Sequence, residues 1–445
     1  MTPPPDLADK DALIAALLSR IEVLTARVAE LEARLGAPPK GPENSSVPPS
    51  RGQKPSGSSV AKRKAKPHRG SHRALHPTPT ARRDVFAAVC ACGADVSGAT
   101  QTAQEAYDCI EIPKIEPDVT RVTLMGGLCP CCARRFKAQP PQGLEAGSPF
   151  GPNLRALVIY LRQVQAIPLA RLADVLRGLL GLEISQGALV GILRAAQPAF
   201  ARQASRIKAD LFAGAVLASD ETTCRVGKKN WWLWVFHHAM SAVFVADPSR
   251  SKAVVEGFLG GWRPDYWISD RYGGQMGWAA REHQVCLAHL IRDVQYAIDA
   301  GDEMLAPKVR RLLSDACALG ARRGHLADAT LKAYEARLDK RLDRLMDLVP
   351  TAPAGHTLRT ILKKIRRHLF VFVTHRDISA TNNGSERAVR PCTIYRKVTN
   401  GFRSEWAAAL YADTRSVVET GRRRCVSALD AIRLTLAGAP IPIPP

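Results

Sequence analysis

The chain has 445 residues and a formal net charge of +22, so we expect two or more domains and a polyanionic partner. Nucleic acid is the leading candidate, and a basic surface that only aids solubility is the alternative. No apolar run approaches the length of a membrane span, and the N-terminus lacks a charged-then-apolar signal pattern. We therefore expect a cytoplasmic protein without a membrane partner, whose 11 cysteines are reduced thiols or metal ligands.

Residues 1–36 have the heptad pattern of a coiled-coil dimerisation helix. One heptad position holds Ile14, Ile21, Val28 and Leu35, and the other holds Leu17, Leu24 and Leu31. Mostly β-branched residues at the first position and leucine at the second favour a parallel two-stranded coiled coil. The sequence therefore predicts a homodimer or a higher assembly, and a helix packed on its own chain is the alternative.

Residues 37–83 form a basic linker rich in proline and serine. No acidic residue occurs between Arg51 and Arg83, and the cluster Lys62, Arg63 and Lys64 lies within this stretch. Such a composition cannot bury enough apolar area to fold alone. We interpret it as a flexible arm that lies along DNA phosphates, and a merely solvated linker is the alternative.

Residues 84–140 have the cysteine pattern of a small zinc-ribbon-like domain. Cys90-Ala91-Cys92-Gly93 and Cys129-Pro130-Cys131-Cys132 bracket two strand-like runs at residues 107–112 and 119–124. Two cysteine pairs on turns, separated by a hairpin, are typical of a structural Zn²⁺ site. The predicted ligands are Cys90, Cys92, Cys129 and Cys132, although the spacing leaves Cys131 open as a replacement for Cys132. Buried reduced thiols are the alternative, and Cys109 reads as a strand residue.

A helical segment at residues 150–208 precedes the candidate catalytic region. Two helices, at residues 169–180 and 186–196, are separated by a turn and resemble a helix-turn-helix. The second helix offers Arg194 as its strong phosphate or base donor, and two helices joined by a turn are common without any DNA contact. DNA reading by this segment is therefore a minor hypothesis.

Residues 209–425 alternate strands with helices, which predicts an α/β domain that contains three unusual acids. Asp220 ends an apolar strand just before a hairpin whose second strand is residues 231–236, and Asp270 ends a short aromatic run. Glu386 lies at the start of a helix, after a helical insertion at about residues 301–370. A buried carboxylate is costly unless it is paired or bound to a metal. Three such acids predict two Mg²⁺ (or Mn²⁺) ions for phosphoryl transfer.

Several residues near these three acids have more than one possible role. Glu221 lies beside Asp220, and adjacent residues on a strand point to opposite faces, so only one of the two can easily face the metal ions. The choice of Asp220 rests on the family resemblance described below. Asn382 and Asn383 are predicted to cap the helix of Glu386, with a direct substrate contact as the alternative. Cys286 and His289 are predicted to have a structural or substrate-orienting role, with a second zinc site as the alternative. Trp231, Trp232 and Trp234 are predicted to pack in the core, with stacking on flipped bases as the alternative. His237 and His238 are assigned no role. Residues 426–445 should form a C-terminal helix and a disordered or extended proline-rich tail.

The order of these motifs resembles that of the bacterial DDE transposases of insertion-sequence family sixty-six. The matching segments are Asp220-Glu221-Thr222 with Trp231-Trp232-Leu233-Trp234-Val235, Asp270-Arg271-Tyr272, Cys286-Leu287-Ala288-His289, and Thr381-Asn382-Asn383-Gly384-Ser385-Glu386-Arg387. Upstream, Pro42-Glu43-Asn44-Ser45-Ser46 is similar to a linker of that family. The resemblance implies an RNase H-like catalytic core with a helical insertion, in which Asp220, Asp270 and Glu386 hold two Mg²⁺ ions.

The resemblance also implies a reaction and a set of partners. The chain would cleave insertion-sequence ends and join the 3′-hydroxyl to target DNA, bound to terminal inverted repeats and, when on DNA, associated with the nucleoid. Phosphate contacts are predicted for Arg387, Arg390, Arg396 and Lys397, and accessory proteins of the same element are further candidate partners. A catalytically silent, transposase-derived DNA-binding protein or repressor is the alternative, and a two-metal nuclease without strand transfer is a third hypothesis.

Overall fold

A computed structural model of the chain describes residues 7–34, 38–45, 73–144 and 147–444. The first element is α1, Leu7–Arg34. Its described heptad residues are each more than half exposed, namely Ile14, Leu17, Ile21, Leu24 and Val28. The stripe is thus not covered by the described residues of this chain, and self-association through it stays a prediction. Leu35, also assigned to the heptad, and the basic cluster at residues 62–64 lie outside the described residues.

The cysteine-containing segment has less regular structure than predicted. It contains one antiparallel hairpin, made of β1 (Gly126–Leu128) and β2 (Arg135–Lys137). The strands predicted at residues 107–112 and 119–124 are wrong, because both segments are irregular and their apolar side chains are largely exposed. Alternating apolar residues form a stable strand only where a sheet or helix covers their face, and here none does.

A five-stranded mixed sheet is the centre of the remaining chain. Its strands are β3 (Val216–Val226), β4 (Lys229–His238), β5 (Ser241–Asp247), β6 (Tyr266–Ser269) and β7 (Glu282–Val285). The strand order is β5-β4-β3-β6-β7, with the first two pairings antiparallel and the last two parallel. Gly227 adopts φ of 58° in the turn between β3 and β4, a conformation that glycine reaches without a Cβ clash.

Helices cover both faces of this sheet, which makes the fold α/β. One face packs Trp234, Phe236 and Trp267 against the helices before the sheet and at the C-terminus. Four helices lie before the sheet or between its strands, namely α2 (Pro152–Ile159), α3 (Leu169–Leu180), α4 (Gln186–Phe212) and α5 (Lys252–Leu259). The predicted bounds of α3 are confirmed, whereas α4 continues well past residue 196. The predicted core role of Trp231 and Trp234 is also confirmed, since both are buried.

The opposite face of the sheet packs against helices that follow it in the chain. They are α6 (Leu287–Asp299), α7 (Ala306–Arg322), α8 (Asp328–Met346), α9 (Pro353–Ile365), α10 (Val371–Thr374) and α11 (Asn383–Thr399). The C-terminal helices α12 (Glu405–Arg423) and α13 (Ala428–Leu436) contribute to the first face. Helices α6 to α10 bury Val216, Ala218 and Ile268, while α11 covers Leu233 and Val235 on the same face. Helix α12 packs against β5 and α4.

The proline-rich end of the chain is anchored. Ile441 is buried, and its carbonyl accepts a hydrogen bond from Nη1 of Arg424 at 2.9 Å. The same guanidinium donates to Asp210 Oδ2 at 2.7 Å. Residues 440–444 have no regular secondary structure, and the contacts of Ile441 hold them against the fold, so the disordered tail that was one of the two predicted alternatives is wrong.

Candidate active site

The three predicted acids come from neighbouring elements on one face of the sheet. Asp220 is the fifth residue of β3, Asp270 directly follows β6, and Glu386 lies in the first turn of α11. Strands β3 and β6 run parallel and pair Ala218 with Ile268, so each aspartate lies two residues beyond that pair. The parallel register therefore puts both aspartates at the same edge of the two strands.

His289 on α6 lies between two of the acids. Its Nδ1 is 3.0 Å from Oδ1 of Asp270, and its Nε2 is 3.8 Å from Oε1 of Glu386. The Nδ1 contact lacks the alignment of a hydrogen bond, so it is an electrostatic contact. Burial opposes the charge of the ring, but Asp270 and Cys286 outweigh burial and raise the pKa of His289 to about 10. The ring is therefore an imidazolium that partly neutralises these acids.

Asp220 is the most enclosed of the three carboxylates. Burial raises its pKa well above the ordinary value, and the negative charges of Asp270 and Glu221 raise it further. Carboxylates of like charge near one another repel unless a cation lies among them. The arrangement therefore favours binding of a positively charged group.

Glu221 occupies a separate site, as the strand alternation predicts. Its Oε1 accepts from Nε of Arg250 at 2.8 Å, and its Oε2 accepts from the side-chain amide of Gln275. The Arg250 guanidinium also lies over the rings of Trp232, at 4.8 Å, and Tyr272, at 4.2 Å. Glu221 is thus held by a guanidinium and an amide, and its carboxylate is already paired.

Asn382 joins the elements that carry the acids, a role that sequence reasoning missed. It occupies the N-cap position of α11, but its side chain makes no capping bond, so the predicted cap is wrong in that respect. Instead its Nδ2 donates to the carbonyl of Ser219 at 2.8 Å, and its Oδ1 accepts from Ser385 Oγ at 2.6 Å. Its backbone N–H donates to Cys286 Sγ at 3.1 Å. Asn383, the other predicted cap, is exposed.

His237 extends this buried chain of hydrogen bonds. Its Nε2 is 2.8 Å from Oγ of Ser385, whose single proton is donated to Asn382. Ser385 must therefore accept from His237, which fixes the Nε2–H tautomer of a neutral ring. Burial lowers the pKa of His237 well below its ordinary value, and the nearby Arg423 lowers it further. The ring also lines a cavity of about 290 Å³ beneath the start of α11, together with Arg387 and Asn383.

The predicted zinc ligands form two local pairs. Cys90 and Cys92 lie on a turn closed by a bond from Gly93 N–H to the Cys90 carbonyl at 2.8 Å. Cys129 begins the second turn, near Cys131 and Cys132, and hydrogen bonds from those two residues lower the pKa of its thiol. Within the described ranges, one group of three or more metal-binding side chains has ligand atoms within 4.8 Å of one another, and it comprises Asp270, Cys286 and His289. The two cysteine pairs are not brought together.

The predicted phosphate-binding residues on α11 differ in their surroundings. Arg387, Arg390 and Lys397 are exposed. Arg396 donates to the carbonyl of Thr223 on β3 at 2.6 Å, so its guanidinium is partly committed to the fold. The exposed cations lie on the helix that begins beside Glu386, where a DNA backbone that reaches the acids can contact them.

Comparison with known protein families identifies the family of the chain. The profile described as the transposase IS66 family matches residues 147–410, which is more than half of the chain and includes all three acids and His289. The chain belongs to the IS66 family of transposases. No curated protein matches the chain. Membership in this transposase family implies DNA binding and a nuclease or transferase activity. None of the described helices is long and apolar enough to cross a membrane.

Proposed function

We propose that this IS66-family protein is a metal-dependent DNA transposase that cleaves the ends of its element and joins the 3′-hydroxyl to target DNA. The observation that carries the proposal is the convergence of Asp220, Asp270 and Glu386 around His289. The sheet, with three antiparallel strands followed by two parallel ones, supports an RNase H-like core. The helices between α6 and α11 support the predicted insertion.

The donor set suits Mg²⁺ or Mn²⁺. Hard divalent cations prefer carboxylate oxygens, and Oδ1 of Asp270 is buried without a hydrogen-bond partner. Asp220 is enclosed beside the like charge of Asp270, which a divalent cation would relieve. Asp220, Asp270 and Glu386 would hold two ions, which when bound supply charge neutralisation at the attacking and leaving oxygens of an in-line displacement.

The protein's own residues position the reacting DNA. Asp220 lies within β3, where its backbone pairs with Val235 of β4, and burial of its carboxylate limits the freedom of the side chain to move. Asn382 holds the start of α11 against β3 and thereby fixes Glu386 relative to Asp220. The exposed cations Arg387, Arg390 and Lys397 contact the phosphates of the bound strand. No side chain is required as a covalent nucleophile.

We further propose that the cysteine segment binds one structural Zn²⁺ through Cys90, Cys92, Cys129 and Cys132, which requires the two separate turns to close on the ion. Both pairs lie on tight backbone turns, and hydrogen bonds within each pair lower the pKa of Cys90 and of Cys129. Thiolate is the form that binds zinc, so these lowered pKa values favour the metal. Zinc analysis of the purified protein should find one equivalent in the wild type and a loss in Cys129→Ala; equal zinc in both proteins would exclude Cys129 as a ligand.

Adjacent carboxylates provide a sharp test of the catalytic proposal. Asp220→Asn and Glu221→Gln each remove one negative charge at neighbouring positions of β3, but only Asp220 faces the other acids. In a Mg²⁺-dependent assay of DNA-end cleavage, we expect Asp220→Asn to lose activity by a factor on the order of 10³ or more, the scale of losing a principal electrostatic contact. Glu221→Gln should cleave at close to the wild-type rate. The reverse pattern would refute the assignment.

A further inference from the structure

The linker between the coiled-coil helix and the cysteine segment contains a short part that is packed against the catalytic region. Residues 38–45 are described, and Asn44 and Ser45 within them are only 8% and 9% exposed. A polar stretch rich in proline and glycine has no core of its own. Burial of its side chains therefore requires a surface that another element supplies, which contradicts the prediction of a uniformly flexible arm for these residues.

The segment is preorganised around the side chain of Asn44. Its Oδ1 accepts from the Gly41 N–H at 2.7 Å, and its Nδ2 donates to the carbonyl of Pro39 at 3.2 Å. The Ser45 hydroxyl donates to the Gly41 carbonyl at 2.6 Å. Asparagine side chains commonly replace backbone groups in turns of this kind. These hydrogen bonds fix the shape of the turn, and the Asn44 amide is left facing a neighbouring element.

Helix α6 supplies the receiving surface. Nδ2 of Asn44 also donates to Oδ2 of Asp299 at 3.1 Å, and Nζ of Lys40 lies 5.3 Å from the ring centroid of Tyr296. The other oxygen of Asp299 accepts from Gln295 Nε2 at 2.7 Å, which orients the carboxylate towards the segment. The contacts thus combine a charge-assisted hydrogen bond with a cation over an aromatic ring.

These contacts lie on the same side of α6 as the active-site histidine. His289, Asp293, Tyr296 and Asp299 follow one another at spacings of four, three and three residues, so they form one stripe along the helix. Burial raises the pKa of Asp293, whereas the charges of Arg271 and, more weakly, Lys40 lower it. Lys40 therefore lies close enough to Asp293 for their charges to interact. At about 1.5 Å per residue, Asp299 lies about 15 Å along the helix axis from His289.

We propose that the outer stripe of α6 is a docking surface for the Lys40–Ser45 segment of this chain, and that docking tethers the coiled-coil helix and the basic linker to the catalytic region. Three residues separate α1 from Pro38, and sixteen separate Ser45 from Lys62. At most about 3.5 Å per residue, Lys62 stays within about 60 Å of the docked turn. Docking thereby raises the local concentration of the linker cations near DNA in the active site.

A charge swap across the contact tests the docking directly. Asn44→Asp puts two carboxylates against each other while leaving the Gly41 bond available, and Asp299→Asn in the same protein restores a complementary pair. Glu43→Gln, at the exposed neighbouring position, is the matched control. The readout is backbone hydrogen exchange of the full-length protein in peptides covering residues 38–45 and the end of α6.

We expect Asn44→Asp to speed exchange in both peptides by a factor on the order of ten, the scale of losing a charge-assisted hydrogen bond. Exchange in β3 should stay unchanged, and Glu43→Gln should match wild type throughout. The double variant should recover wild-type exchange at the end of α6, whereas the lost bond from Asn44 to the Pro39 carbonyl leaves recovery within residues 38–45 partial. Unchanged exchange in Asn44→Asp, or accelerated exchange at the end of α6 that the double variant does not reverse, would overturn the docking surface.

Strand transfer by the same variants tests the functional half of the proposal. We expect Asn44→Asp to lower joining of a pre-cut element end several-fold and the double variant to restore it. If Asn44→Asp releases the segment but joins DNA ends at the wild-type rate, the proposed role of docking in positioning the linker is overturned. Because exchange is measured without DNA or metal, failure of the docking is distinguishable from failure of the catalytic proposal, which the acid variants test.

Discussion

The backbone N–H of Asn382 donates to the thiol sulfur of Cys286 across 3.1 Å. Asn382 immediately precedes α11, which carries Glu386, and Cys286 immediately precedes α6, which carries His289. The Asn382 side chain continues the connection to Ser219, the residue before Asp220. One buried asparagine therefore joins the three elements whose relative positions define the active site.

Removal of the Asn382 side chain should loosen that junction. We expect Asn382→Ala to reduce the free energy of unfolding by about 1–3 kcal/mol, because the buried Ser219 carbonyl and Ser385 hydroxyl lose their partner. The kcat of DNA joining should decrease, because the substitution leaves in place the cations that are predicted to contact DNA. Asn383→Ala, one residue away and exposed, is the control and should change neither quantity. Equal effects of the two substitutions in denaturant melts and kinetics would contradict this role.

The charge of His289 should compete with divalent metal for the carboxylates. In metal-free protein, His289→Asn removes the imidazolium between Asp270 and Glu386, so we expect a melting temperature lower by a few degrees. Addition of Mg²⁺ should then raise the melting temperature more in the variant than in wild type. His375→Asn, which affects an exposed pair with Glu282, should respond to Mg²⁺ as wild type does. A smaller metal response in His289→Asn would show that the histidine supports metal binding instead of competing with it.

Asp413 on α12 should give the protein a distinct pH dependence of stability. Burial raises its pKa from the ordinary 3.8 to about 6. Below pH 3.8 the group is protonated in both states; as pH rises towards 6 the unfolded state loses the proton first, so the free energy of unfolding falls. Asp413→Asn should remove this fall, and relative to wild type it should gain about 1–2 kcal/mol at pH 7.5 but nothing at pH 3.5. An equal gain in the free energy of unfolding at pH 7.5 and pH 3.5 would contradict the proposed titration of Asp413.

The exposed stripe of α1 should mediate self-association. Leu24→Asp puts a charge on the predicted coiled-coil seam, whereas Val23→Asp puts the same charge beside it, and both native residues are exposed in the single chain. Light scattering at micromolar concentration should show a multiple of the 48.3 kDa chain mass for Val23→Asp and for wild type, and the single-chain mass for Leu24→Asp. Dissociation by both substitutions, or by neither, would argue against a heptad seam.

Local sequence patterns were sufficient to predict the α/β class, and together with the family resemblance they selected the three acids as candidates. Asp270 directly follows a short strand as predicted, whereas β3 continues to Val226, so the predicted strand end at Asp220 is wrong. Alternation along β3 predicted that Asp220 and Glu221 point to opposite faces, and the resemblance selected Asp220. The contacts of Asn382 and His289 could not be predicted, because they depend on how segments far apart in sequence meet. The Cys286 and His289 spacing was visible, but nothing in it indicates proximity to Glu386.

The incorrect predictions have a common physical origin. Residues 107–112 have strand composition but lie exposed without a covering element, and residues 38–45 have linker composition but find a complementary surface on α6. In both cases a partner elsewhere in the chain, or the lack of one among the described residues, overrides local propensity. The proline-rich tail follows the same rule, since the pocket that receives Ile441 is formed by residues distant in sequence.

Joining of a pre-cut element end to plasmid DNA tests the proposed role of the acids most directly. Wild type and Asp270→Asn, which preserves shape but removes the charge, should be compared in Mg²⁺ and in EDTA, with end binding measured in parallel. We predict that both proteins bind the end and that only wild type in Mg²⁺ joins it. Joining by Asp270→Asn at the wild-type rate, or joining by wild type in EDTA, would contradict a metal site built on these acids.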